Sequence, residues 1–87
     1  MKELTYTVTD LSGIHARPAG LLVKEASKYQ SNITIKLTHG EKSADAKRLF
    51  SVMSLNAKCG DTLSFIIEGT DENTAFNGLE KFLKENL

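Results

Sequence analysis

The stretch LTYTVTDLSGIHARPAGLLVKEASKY, residues 4–29, changes its hydrophobic period partway along, and that change decides the fold class. Leu4, Tyr6 and Val8 alternate with polar residues, the period of two expected of a half-buried strand. From Ala19 onward the apolar residues fall at Leu22, Val23, Ala26 and Tyr29. That is the i, i+3, i+4, i+7 spacing of a core-facing stripe, and it predicts a helix from about Ala16 to Tyr29. Pro18, the one proline, suits this helix because it lies in the first turn, where a missing N–H costs little.

The same two periods continue outward. Ile33, Ile35 and Leu37 alternate and run into the turn signal Thr38-His39-Gly40-Glu41, which leads to a short strand around Lys42 to Asp45. A short helix is expected from about Lys47 to Leu55, with Leu49, Val52, Met53 and Leu55 as its apolar residues. Leu63, Phe65 and Ile67 form another alternating strand. Thr70 or Asp71 can cap a last helix whose inward stripe is Ala75, Phe76, Leu79, Phe82 and Leu83. The order β-α-β-β-α-β-α, with one apolar face per strand, predicts an α+β fold. It is a two-layer open-faced sandwich, a four-stranded antiparallel sheet with three helices on one face, forming one domain over residues 1–87. Strand order does not follow from the pattern.

The chain has 87 residues, 40% of them hydrophobic and 25% charged, with a formal net charge of zero. That balance leaves no electrostatic footprint for nucleic acid. The single cysteine, Cys59, sits in the loop-like run Lys58-Cys59-Gly60-Asp61 and has no second thiol for a disulfide or a metal site. Met1-Lys2-Glu3-Leu4 lacks an apolar signal core, and no stretch reaches the length of a membrane span. A cytoplasmic protein without membrane insertion is expected.

The chemistry concentrates in Gly13-Ile14-His15-Ala16-Arg17-Pro18-Ala19, where a loop becomes a helix. A helix start leaves N–H groups without partners and is the positive end of the macrodipole, so it attracts anions. His15 is a nucleophile that can titrate near neutral pH. Arg17 is a permanent cation whose planar fork matches phosphate oxygens. An imidazole nitrogen that attacks phosphorus forms a phosphoramidate that still transfers readily. The N–H groups at Ala16 and Arg17, the Arg17 side chain and the Ser12 hydroxyl can hold the oxygens, and Gly13 relieves the backbone before the turn. The plainer reading makes His15 a helix-flanking residue and Arg17 a solvated charge. His39, beside Gly40, reads as an exposed turn residue. There is no Asp-His pair at metal-ligand spacing, no Gly-rich phosphate loop and no Gly-x-Ser-x-Gly elbow, so no metal or cofactor is implied.

This segment resembles the active-site signature of the HPr family, the bacterial histidine phosphocarriers of the sugar phosphotransferase system. The resemblance covers essentially the whole chain, including Leu21 to Ser27, Glu41 to Lys47 and Ser51 to Leu55. It implies a carrier rather than an enzyme with its own turnover. Enzyme I, charged by phosphoenolpyruvate, would phosphorylate His15 on Nδ1, Arg17 would stabilise the phosphoryl group, and IIA components of sugar permeases would receive it. Transcriptional regulators are further possible partners of such a carrier, and a monomer is the simplest state. Partner docking would fall on the first two helices, around Leu49, Phe50 and Met53. Phe50 is expected to be exposed, because Leu49, Val52 and Met53 already define an inward face, with Met53 shared between core and rim. Lys24, Lys28 and Arg48 would add a basic border.

One position departs from the family. Where many HPr proteins carry a serine phosphorylated by an ATP-dependent kinase, this chain has Arg48. No regulatory serine is therefore expected there. Two other functions stay open on the sequence: an HPr-like regulatory paralogue that acts by docking to an enzyme or transcription factor, and a small acylphosphatase-like hydrolase with an arginine-containing anion loop.

Overall fold

The computed structural model describes residues 1–87 apart from Ser12, His15, His39 and Glu41. Its elements follow the order read from the periods: β1 (Lys2–Thr7), α1 (Ala16–Ala26), β2 (Asn32–Leu37), β3 (Ser43–Asp45), α2 (Leu49–Ser54), β4 (Thr62–Glu68) and α3 (Glu72–Asn86). The four strands make one antiparallel sheet in the order β1-β4-β2-β3.

The register explains why the sheet has two unlike faces. Leu4, Phe65, Ile35 and Ala44 face one another across all four strands, and all four are buried. One residue along, Thr5, Ser64, Lys36 and Ser43 form the matching row on the opposite face. Alternation along each strand thus sorts apolar from polar side chains with no further device. The helices cover the apolar face with Ala19, Leu22 and Ala26 from α1, Val52 from α2, and Ala75, Leu79 and Leu83 from α3. Burial of a side chain such as Phe65 contributes about 2–3 kcal/mol before entropy is counted.

Two expectations need correction. Helix α1 ends at Ala26 rather than Tyr29. Lys28 N and Tyr29 N donate to Glu25 O and Ala26 O, the tighter i→i+3 pattern of a helix terminus. Tyr29 still packs partly against the core, and its hydroxyl donates to Glu25 Oε2 at 2.9 Å. Gly78 on α3 makes the room, since a Cβ there would overlap that hydroxyl. Burial first, then the Glu25 carboxylate, raises the Tyr29 pKa above its ordinary value.

Asp71 does stand at the N-cap of α3, but its side chain makes no capping bond. Its carboxylate instead accepts from Gln30 N at 2.8 Å, Ser31 N at 2.9 Å and the Ser31 hydroxyl. These bonds join the α1–β2 turn to the start of α3. The Ser31 hydroxyl, foremost, holds the Asp71 carboxyl below its ordinary value.

Candidate functional site

The loop between β1 and α1 is held by backbone bonds to parts of the chain far away in sequence. Val8 N donates to Asp61 O and Gly60 N to Val8 O, both at 2.9 Å. Thr9 N and Asp10 N donate to Leu87 O at 2.8 and 2.9 Å, and the Thr9 hydroxyl reaches the same oxygen at 2.9 Å. Gly13 N then closes a turn onto Asp10 O at 2.9 Å, and Ile14 N donates to Ala57 O at 3.0 Å. Every backbone donor named here is satisfied, so the backbone at Gly13 and Ile14 runs along a fixed line.

Gly13 is required by that line. Its φ is +68°, in the left-handed region, and a Cβ would stand 2.5 Å from Ala57 O and 2.8 Å from Lys58 Cα. The opposing loop is itself braced, with Lys58 N donating to Asp61 Oδ2 at 2.8 Å. Just before it, Asn56 takes φ +53° and its N–H donates to Met53 O, an αL residue ending α2. Cys59 is exposed on this loop, its thiol 3.7 Å from Thr9 O.

Helix α1 opens with Ala16 and Arg17 exposed and Pro18 buried. No acidic residue lies in its first turn, which is the positive end of the helix dipole. Arg17 lines a cleft of about 280 Å³ between this helix start and the end of α3, together with Asp10, Pro18, Leu21, Glu85 and Asn86. The first N–H groups of a helix and a guanidinium at one point can bind an anion bearing several oxygens. Two other cavities, of about 300 and 500 Å³, lie along the sheet and touch none of these residues. His15 and Ser12, on which the sequence reading places the nucleophile and a nearby hydroxyl, lie outside the described residues. So does the turn histidine, His39.

The residues expected to dock partners divide. Phe50 is 82% exposed, as the helical stripe implied. Met53 lies at the rim at 36%. Leu49 is half-buried against the core, so it offers a partner only its edge. Arg48 precedes α2 with extended backbone and no side-chain capping bond, and its Nε lies 3.8 Å from Asp45 Oδ2. Lys24 is exposed in the last turn of α1.

The sequence reading missed two exposed leucines. Leu21 is 42% exposed, and its place off the α1 stripe was the available signal. Leu11, 92% exposed at the turn between Asp10 and Gly13, carries no periodic signal at all. Among the described residues, no cluster of three or more His, Cys, Asp or Glu could hold a metal ion. No helix among them is long and apolar enough to cross a membrane.

The family model for the PTS HPr component phosphorylation site matches residues 2–85. The phosphocarrier protein HPr of Lysinibacillus sphaericus is 41% identical over 85 residues, covering 98% of this chain and 94% of that protein. The solved histidine-containing phosphocarrier protein of Mycoplasma is similar with a TM-score of 0.91 at 34% identity, over 97% of this chain and 93% of that one. Crh, a catabolite repression protein of Bacillus subtilis solved as a swapped dimer, is 29% identical with a TM-score of 0.74. That likeness covers 100% of this chain and 98% of Crh.

Proposed function

Because this chain belongs to the HPr family of phosphocarrier proteins of the phosphotransferase system, we propose that it accepts a phosphoryl group on His15 from enzyme I. It then passes that group to IIA components of sugar permeases, as a monomer in the cytoplasm. The observation that carries this reading is the exposed cation Arg17 in an acid-free first turn, within a segment matched by the family model.

The step needs little from the protein beyond position and charge. The lone pair on Nδ1 of neutral His15 attacks phosphorus, forming a P–N bond while the bond to the donor breaks. The electron pair of that broken bond leaves with the donor. Arg17 and the first N–H groups of α1 stabilise the phosphoryl oxygens throughout, with no rearrangement at the moment of transfer. Discharge is the same step with the IIA component as nucleophile. Gly13 and the bond from Ile14 to Ala57 constrain the backbone that leads to the signature histidine, which supports this reading. Phe50 and Met53, bordered by Arg48 and Lys24, supply the docking surface. Methionine and phenylalanine suit a surface that meets several partners in turn.

The test is reconstitution with phosphoenolpyruvate, enzyme I and a IIA domain. The IIA domain is expected to become labelled only when this chain is present. Equal labelling with and without the chain overturns the carrier reading.

A second reading is supported by the likeness to Crh and by Arg48 at the regulatory-serine position. On it, the protein acts by docking to a regulator. Regulator binding that is indifferent to His15 phosphorylation would favour this second function.

A further inference from the structure

We propose that Lys47 is a positioning residue that sets Phe50 for docking to enzyme I, an inference that rests on the carrier reading above. The Lys47 ammonium donates to Tyr29 O at 2.7 Å and fastens the entry of α2 to the turn that follows α1. Lys47 is half-buried, and a charge-assisted bond from a lysine to a carbonyl at a helix end is a strong tie. The acceptor is itself held. Tyr29 N donates to Ala26 O, the Tyr29 hydroxyl donates to Glu25 Oε2, and Lys28 Nζ lies 3.0 Å from Glu25 Oε1. On the other side, Asp71 at the start of α3 accepts from Gln30 N and Ser31 N. The turn between α1 and β2 is therefore gripped by α1 and α3, and Lys47 joins α2 to it.

Helix α2 needs such a tie. It has six residues, too few to hold a helix by backbone bonds alone. Val52 and the C-cap residue Leu55, both buried, anchor its second half. Its first half has less. Arg48 makes no side-chain capping bond, and its pair with Asp45 at 3.8 Å joins two exposed groups, so that pair contributes little. Leu49 is only half-buried. Yet this half carries Phe50, the apolar side chain most open to a partner on this helix. Loss of the bond from Lys47 frees the first turn to take other arrangements, and only part of the population then presents Phe50 correctly. Apparent affinity for enzyme I falls by that fraction, while the transfer step, which depends on other residues, keeps its rate.

Two variants provide the test. Lys47→Met keeps the aliphatic stem and its packing but removes the charge, and Lys47→Arg keeps a cationic donor. Initial rates of phosphorylation by enzyme I, at saturating phosphoenolpyruvate and varied chain concentration, separate docking from chemistry. KM is expected to rise about fivefold for Lys47→Met with kcat within about twofold, and Lys47→Arg to stay within about twofold of wild type. A Phe50→Ala background separates positioning from direct contact. Because Lys47 acts through Phe50, adding Lys47→Met to Phe50→Ala should raise KM by less than about twofold more. An equal rise in both backgrounds means that Lys47 meets enzyme I itself, and overturns the inference. An unchanged KM for Lys47→Met, a fall in kcat at constant KM, or a Lys47→Arg variant as impaired as Lys47→Met overturns it too. All four results leave the carrier reading standing. Val52 N donates to Arg48 O in the first turn of α2, so its amide exchange reports on the tie without a partner. Lys47→Met should speed that exchange about fivefold with the β4 amides unchanged, and equal exchange in the two chains overturns the tie. Failure of the wild type to accept phosphate from an active enzyme I overturns the carrier reading and this inference with it.

Discussion

The starts of α1 and α2 are both junctions where a loop enters a helix, yet they are built differently. The α1 junction is tied to residues remote in sequence, Ile14 to Ala57 and Thr9 and Asp10 to Leu87. The α2 junction combines local bonds, Arg48 N on Asp45 O and Lys47 N on Asp45 Oδ1, with one side-chain tie, Lys47 Nζ on Tyr29 O at 2.7 Å. At α1 the backbone is constrained and glycine is required. At α2 the backbone is ordinary, and the side chains Arg48 and Phe50 stand 78% and 82% exposed. On the proposed function, the first junction would set where His15 meets its partners, and the second would present side chains for recognition.

Substitution should expose that difference. Gly13→Ala forces a methyl group against Ala57 O at positive φ and should cost about 2–3 kcal/mol, read by urea denaturation. A loss no larger than that of an ordinary surface variant would mean the junction is pliant. The start of α3 should show an intermediate effect, because Asp71 spans two elements with its carboxylate. Asp71→Ala should lower Tm near neutral pH. The native carboxyl is held below its usual value, so its contribution is full above the usual value and is lost as pH falls on through the lowered native one. Melting curves of wild type and variant should therefore converge in strong acid, and a gap independent of pH would contradict the assignment.

The smallest stability effects belong to α2. Phe50→Ala and Arg48→Ser should each stay within about 0.5 kcal/mol of wild type, because neither side chain supports the core. Phe50→Ala should nevertheless slow transfer from enzyme I, measured by the rate of label uptake. If Phe50→Ala unfolds the protein, or transfers normally, the two junctions do not divide labour in this way. Incubation with an ATP-dependent HPr kinase should leave wild-type position 48 unmodified, since arginine offers no hydroxyl. Arg48→Ser supplies that hydroxyl and should restore a target.

Local pattern carried most of the fold. Alternation in Leu63, Phe65 and Ile67 and the stripe from Ala75 to Leu83 report side chains that share a face within one element. The strand order was not legible, because pairing β1 with β4 joins residues some sixty positions apart. Asp71 misled for the same reason: its three donors lie about forty residues upstream, and capping is only the nearer use of such a carboxylate. At the site, Gly13, Arg17 and the exposure of Phe50 were legible because each rests on a local rule, a tight turn, a first helical turn and a helical face. The cleft among Asp10, Leu21 and Glu85 was not, since the end of α3 meets the start of α1 only in the folded chain.

Intact-mass measurement after incubation with enzyme I and phosphoenolpyruvate, on wild type and His15→Ala, tests the central claim most directly. One acid-labile phosphate on the wild type and none on the variant is the predicted result. Phosphate on both chains, or on neither with a demonstrably active enzyme I, would contradict it.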